Sequence, residues 1–304
     1  MEHTDNHHHH EAEISNLNTA FKLGIALNTI YVVIEAAFGF YYNSMGLLSD
    51  AGHNLSDVAT LVIAMIAYKM AQRPATERYT YGFHKMTIQA SLVNAVLLLI
   101  AVGAILVESI SKLIHPQAVD GDAIAWVAGV GVVVNGVTAW LFMHDKDRDL
   151  NVKGAFLHMA ADALVSVGVV ASGIIIHFTG WYVIDPIIGI CIAAVVGWST
   201  KSLLRESMRM SLDAVPEGID YEKVKGAIAH VDGVRNVHHL HIWPLSTTIT
   251  AMTTHVIIDN PAQIDRVIND IRMKMQQMGI GHSTIEAETK VSSAEKTESN
   301  PTIL

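Results

Sequence analysis

The sequence predicts a membrane-embedded, all-α bundle of six helices followed by a small cytoplasmic α+β domain. Three observations predict it. Apolar stretches of roughly twenty residues recur through the first two thirds of the chain, about the length that crosses a 30 Å hydrocarbon core. Only 16% of the residues are charged while 51% are hydrophobic, where soluble domains carry about 25% charge. Beyond about Leu212 the composition turns soluble.

The spans fall at 20–41, 46–69, 86–110, 122–143, 155–177 and 182–204 within a transmembrane domain at 18–210. Each satisfies its own backbone as a continuous helix, which lipid demands. An acidic, His-rich arm at 1–17 precedes the first span, and its composition predicts no fixed structure. It has no basic segment followed by an apolar one, so it does not read as a cleavable signal. The second span opens on the polar run Ser49-Asp-Ala-Gly-His-Asn-Leu-Ser-Asp57. Val58–Met70 alone would give about 20 Å of helix, too short to cross. The helix must therefore start near Met45 and carry these polar groups into the bilayer.

The connections alternate in charge. Between the first and second spans, and between the fifth and sixth, there is no Lys or Arg. The second-to-third connection holds Lys69, Arg73, Arg78 and Lys85, the fourth-to-fifth Lys146, Arg148 and Lys153, and Lys201, Arg205 and Arg209 follow the sixth span. Basic loops mark the cytoplasmic side, so both termini are expected there. In the cytoplasmic domain at 211–290, Val224–Ala229 reads as helix, Val237–Trp243 and Thr250–Ile258 as strands, Ile264–Met275 as an amphipathic helix and His282–Glu288 as a last strand. The polar tail at 291–304 carries no structural signal.

The chemistry lies in the second and fifth spans. His53 and Asp57 stand four residues apart, as do His158 and Asp162, so each pair shares a helix face. An intramembrane Asp costs about 2.5–3.5 kcal/mol to insert. One such pair reads equally as a His–Asp hydrogen bond stapling helices, but two matching pairs offer two imidazole nitrogens and two carboxylate oxygens, a closed tetrahedral set for Zn²⁺. The single Cys191 excludes a thiolate site within one chain and an internal disulfide. Imidazole disfavours magnesium and calcium and leaves manganese, iron(II), cobalt and cadmium open. A net charge of −9 gives no basic face for nucleic acid. A membrane metalloenzyme would need an open coordination position and a base, and no HExxH occurs. A metal sensor without transport remains as an alternative reading of the same ligands.

These motifs, with the run Val237-His-His-Leu-His-Ile-Trp243 opening the soluble domain, resemble the cation diffusion facilitator family, in its bacterial zinc-transporting branch, from about Asn18 to Glu288. The resemblance implies an inner-membrane homodimer in the lipid bilayer that exports cytoplasmic zinc in exchange for protons by alternating access. It implies a ferredoxin-like cytoplasmic domain that helps hold the dimer. Relatives with metal in that domain point to His238, His255, His282 and Glu288 as ligands of a regulatory zinc, while Lys85 and Asp213 match a salt bridge near the membrane surface. The chain departs from relatives that bind metal between spans two and three, since Phe83 occupies the matching position and His84 is one residue away. By strand alternation His238 faces opposite His239 and His241, so these two are expected outside the site. His3 and His7 to His10 form a tract suited to gathering metal.

Overall fold

A computed structural model describes residues 8–41, 45–115, 121–181 and 183–289, with the side chains at 8–16, 39, 45–50, 53, 121–127 and 177 outside the description. The tail at 291–304, His3, His7 and the side chains of His8 to His10 therefore lie outside it. The chain divides into two compact units, Met1–Met208 and Arg209–Leu304.

In the first unit the described residues form α1 (His8–Tyr41), α2 (Met45–Ala71), α3 (Met86–Ile114), α4 (Gly121–Phe142), α5 (Leu150–Thr179) and α6 (Ile184–Ser211). Five hold stretches long and apolar enough to cross a membrane: Leu17–Phe38, Asn54–Ala71, Met86–Ile114, Leu150–Ile176 and Ile184–Ser211. In α4 the described apolar stretch is shorter, Ala128–Phe142. The backbone of the N-terminal arm is helical from His8 onward, where composition predicted none. Extending an existing helix adds one hydrogen bond per residue fixed, without a new nucleus, and Glu11, Ala12 and Glu13 are good helix formers.

Helix ends follow local chemistry. Asp149 caps α5 by accepting from the Asn151 and Val152 amides, and Gly180 ends it with φ 65°. Small residues let helices approach: Ala64 of α2 and Ala155 of α5 are fully buried in a cluster with Phe21, Leu61, Phe142 and Met159. A second cluster joins Leu98 and Val102 of α3 to Ala161 of α5 and Ala193 and Val196 of α6.

The second unit contains α7 (Tyr221–Ala229), β1 (Val234–Pro244), β2 (Thr250–Ile258), α8 (Ile264–Gln277) and β3 (Ile280–Glu288). The sheet order is β1-β2-β3. β1 and β2 are antiparallel neighbours, and α8 is the crossover that makes β3 parallel to β2. Val267, Ile271 and Met275, four residues apart along α8, are buried against Val224 and Ile228 of α7 and Val237, Met252 and Val256 of the sheet.

Candidate metal centres

In the membrane unit, α2 and α5 bring Asp57, His158 and Asp162 together. His158 Nε2 lies 2.8 Å from Asp57 Oδ1 and 3.7 Å from Asp162 Oδ2. Asp57 is 1% exposed and His158 4%. One donor atom from each of the three falls within 4.8 Å of the others. Ligands of a tetrahedral zinc at about 2.0 Å stand about 3.3 Å apart, so modest side-chain movement closes the set. Asp57 Oδ2 and His158 Nδ1 are buried without a hydrogen-bond partner among the described residues. Buried acceptors of this kind are costly unless something cationic satisfies them. His53 lies on α2 one turn before Asp57, and its side chain is outside the description.

Hydrogen bonds between helices hold this arrangement. Asn151 Nδ2 donates to the Ala64 carbonyl at 2.9 Å, joining the start of α5 to the backbone of α2. Asn28 Nδ2 donates to Thr138 Oγ1 at 3.0 Å, joining α1 to α4. Asn54 Nδ2 donates to Glu35 Oε2 at 2.7 Å, and Tyr31 donates its hydroxyl to Oε1 of the same carboxylate at 3.3 Å. Glu35 is 3% exposed within α1. Sequence reasoning missed it, although a lone carboxylate inside the first apolar span was a readable signal.

In the second unit His238, His255 and Glu288 converge, again with one donor atom from each within 4.8 Å of the others. His255 Nδ1 is 2.8 Å from Glu288 Oε1, and His238 Nε2 is 3.5 Å from the same oxygen. His238 and His255 are cross-strand neighbours. The hydrogen bond from His255 holds the Glu288 carboxyl below its usual range, with the charge of His238 adding to it. Glu288 thus stays ionised to lower pH than an ordinary carboxylate. Its stabilising effect, present above the ordinary carboxylate range, is lost only as the pH falls through its lowered value.

Two expectations need correcting. His282 is not brought to this cluster, because it pairs with Ala251 whereas Glu288 pairs with Ile257. Their separation of six residues along β3 spans about 20 Å. Glu286, directly opposite His255, is the nearer group, at 3.6 Å. The alternation of β1 also fails. The register shifts between His238 and His241, and His239 has φ 49°, as in a bulge. The His239 ring consequently packs 5.3 Å from that of His238 and 5.2 Å from that of His255, instead of facing away. Left-handed backbone is uncommon for a residue with a side chain, and such strain gathers at functional sites.

A measurement separates the two histidines. Calorimetric titration of the full chain should lose one zinc equivalent in His255→Ala and keep it in His282→Ala. Because binding requires neutral imidazole, the same equivalent should weaken with falling pH before Glu288 protonates. Equal loss from both variants would return His282 to the site.

The remaining named positions belong to neither cluster. Lys85 precedes α3, and Asp213 sits in the turn after α6 with φ 57°. Between α2 and α3, Phe83 packs on Tyr79 with ring centroids 4.6 Å apart. His241 is exposed on β1.

Residues 21–210 match the cation efflux transmembrane domain, and residues 216–290 match the cation efflux protein cytoplasmic domain. The chain is 34% identical over 267 residues to a cadmium, cobalt and zinc/H(+)-K(+) antiporter of Bacillus subtilis, covering 86% of each sequence. It is 33% identical over 287 residues to the zinc transporter ZitB of Escherichia coli, covering 93% of this chain and 91% of that protein. To the metal cation efflux system protein CzcD of Cupriavidus metallidurans it is 34% identical over 271 residues, covering 88% and 86%.

Proposed function

Because the chain belongs to the cation efflux family, we propose that it exports zinc from the cytoplasm in exchange for protons, through a site made of His53, Asp57, His158 and Asp162. It is a transporter and not an enzyme, and a membrane protein of the bacterial inner-membrane type. The observation that carries the reading is the convergence of Asp57, His158 and Asp162, buried inside helices otherwise apolar enough to span a bilayer. The transport of zinc and protons named for its relatives supports the choice of ion and counter-ion.

Neutral imidazole and carboxylate bind the metal, so zinc loads as protons leave and departs as protons return. Histidine exchanges protons in the physiological range, which couples the two flows. The helices α1 to α6 are read as six crossings, with the basic connections and both termini on the cytoplasmic side. The cytoplasmic unit is read as a ferredoxin-like module that joins two copies of the chain. Its His238, His255 and Glu288 fit a zinc ion with two nitrogens and one oxygen, leaving a fourth position to Glu286, His239 or a group from the second copy.

Purified protein in sealed proteoliposomes tests the whole reading. Zinc should enter against its gradient when the lumen is acidic, with protons moving the other way. A sensor would bind zinc and carry none, and zinc flux without proton movement would reject exchange.

A further inference from the structure

Asn94 of α3 is 1% exposed, and neither its Oδ1 nor its Nδ2 has a hydrogen-bond partner among the described residues. Most buried polar groups are hydrogen-bonded, and each exception calls for a cause. A wholly unpartnered amide inside a membrane-spanning helix is a strong exception.

Its surroundings suggest the cause. A Cβ built on Gly154 of α5 would lie 3.3 Å from Asn94 Cβ and 3.5 Å from Nδ2, with Leu203 of α6 at 3.6 Å. Asn94 therefore stands where α3, α5 and α6 meet, beside a residue with no side chain. One turn toward the start of α5, Ser91 Oγ donates to the Leu150 carbonyl at 3.1 Å and lies 2.7 Å from Ser207 Oγ of α6. One turn further along α5 from Gly154 is His158, whose Nδ1 also lacks a partner. Polar groups thus recur at steps of about 5.4 Å from the start of α5 to the proposed metal ligands. The neighbouring seam is closed: Asn151 Nδ2 bonds the Ala64 carbonyl between α2 and α5, and both residues are fully buried.

We propose that Asn94 is a waypoint for a partly hydrated divalent cation, on a route between α3, α5 and α6 that leads from the cytoplasmic end of α5 to Asp57, His158 and Asp162. Water bound to a cation donates to Oδ1, and a water beyond that shell accepts from Nδ2, which satisfies both ends of the amide. A bare ion would satisfy only the oxygen. The proposal rests on the reading of these three residues as the transport site and of the α5 start as cytoplasmic.

The test is Asn94→Leu, close to isosteric, with Asn94→Ser as the polar control. In proteoliposomes Asn94→Leu should lower zinc flux by about tenfold or more, the scale of losing a group that supports a metal site. Its thermal stability should equal or exceed the parent's, because an apolar side chain replaces an unpartnered amide. Asn94→Ser should keep most of the flux. In a Cys191→Ala background, Asn94→Cys should react with a water-soluble methanethiosulfonate added from the side of the N-terminus. Parent-like flux in Asn94→Leu overturns the proposal, as does lower stability with unchanged flux per folded molecule, or an unreactive cysteine. Asp162→Ala is assayed in parallel. If it transports normally, the transport-site reading falls and takes the route with it; if it is inactive while Asn94→Leu is normal, only the route is wrong.

Discussion

Asp162→Ala should reach the membrane folded and carry no zinc. Asp162 Oδ2 lies 3.7 Å from His158 Nε2, within the proposed site. Deleting a buried carboxylate relieves the insertion cost of a charge, about 2.5–3.5 kcal/mol for an intramembrane Asp. The ion, in contrast, loses one of the four proposed ligands. Disturbing a partner of a ligand already costs about 10–100-fold in metal affinity, so loss of the ligand itself should exceed that range. Zinc uptake into vesicles, normalised to folded protein, is the measurement. Near-parent flux would remove Asp162 from the site.

His53→Asp should change which metal moves. The proposed set of two nitrogens and two oxygens becomes one nitrogen and three oxygens. Imidazole suits zinc, while harder oxygen ligands favour manganese and tolerate larger coordination numbers. The shorter carboxylate also loosens the cage, so exclusion of the larger cadmium ion should weaken. The variant should keep part of its zinc flux and gain cadmium or manganese flux relative to the parent. Flux of the three metals in matched proteoliposomes decides it. Parent selectivity at undiminished rate would mean that His53 does not touch the ion.

The proposed membrane ligands were legible because a carboxylate and an imidazole one turn apart stand out against Gly, Ala and Val. Helical periodicity then places them on one face without knowledge of the tertiary fold. The proposed cytoplasmic ligands were only half legible. His238, His255 and Glu288 do converge, but which end of β3 meets them depends on strand register, and register is set by pairing across the sheet. His282 and Glu286 share a face by alternation, and only the pairing of Glu286 with His255 separates them. The bulge at His239 is less legible still, since a left-handed residue other than glycine has no sequence signature. The bond between Glu35 and Asn54 was hidden for another reason: each lies in a different span, and nothing local names its partner.

The Asn151–Ala64 bond has a mechanical consequence. It fastens α2 to α5 seven residues from Asp57 on one helix and seven residues from His158 on the other, about 10 Å in each case. The two helices are thus the arms of a pair of tongs, with the fulcrum near one end and the proposed metal ligands a short way along. A tilt of about one degree moves a ligand by about 0.2 Å at that radius, the whole tolerance of a coordination bond. The far end of α5, at Thr179, is about 42 Å from the fulcrum and travels about four times as far. Small angles near the fulcrum therefore suffice to disturb the proposed ligands, and the same one-degree rotation moves the distant tip of α5 by about 0.7 Å.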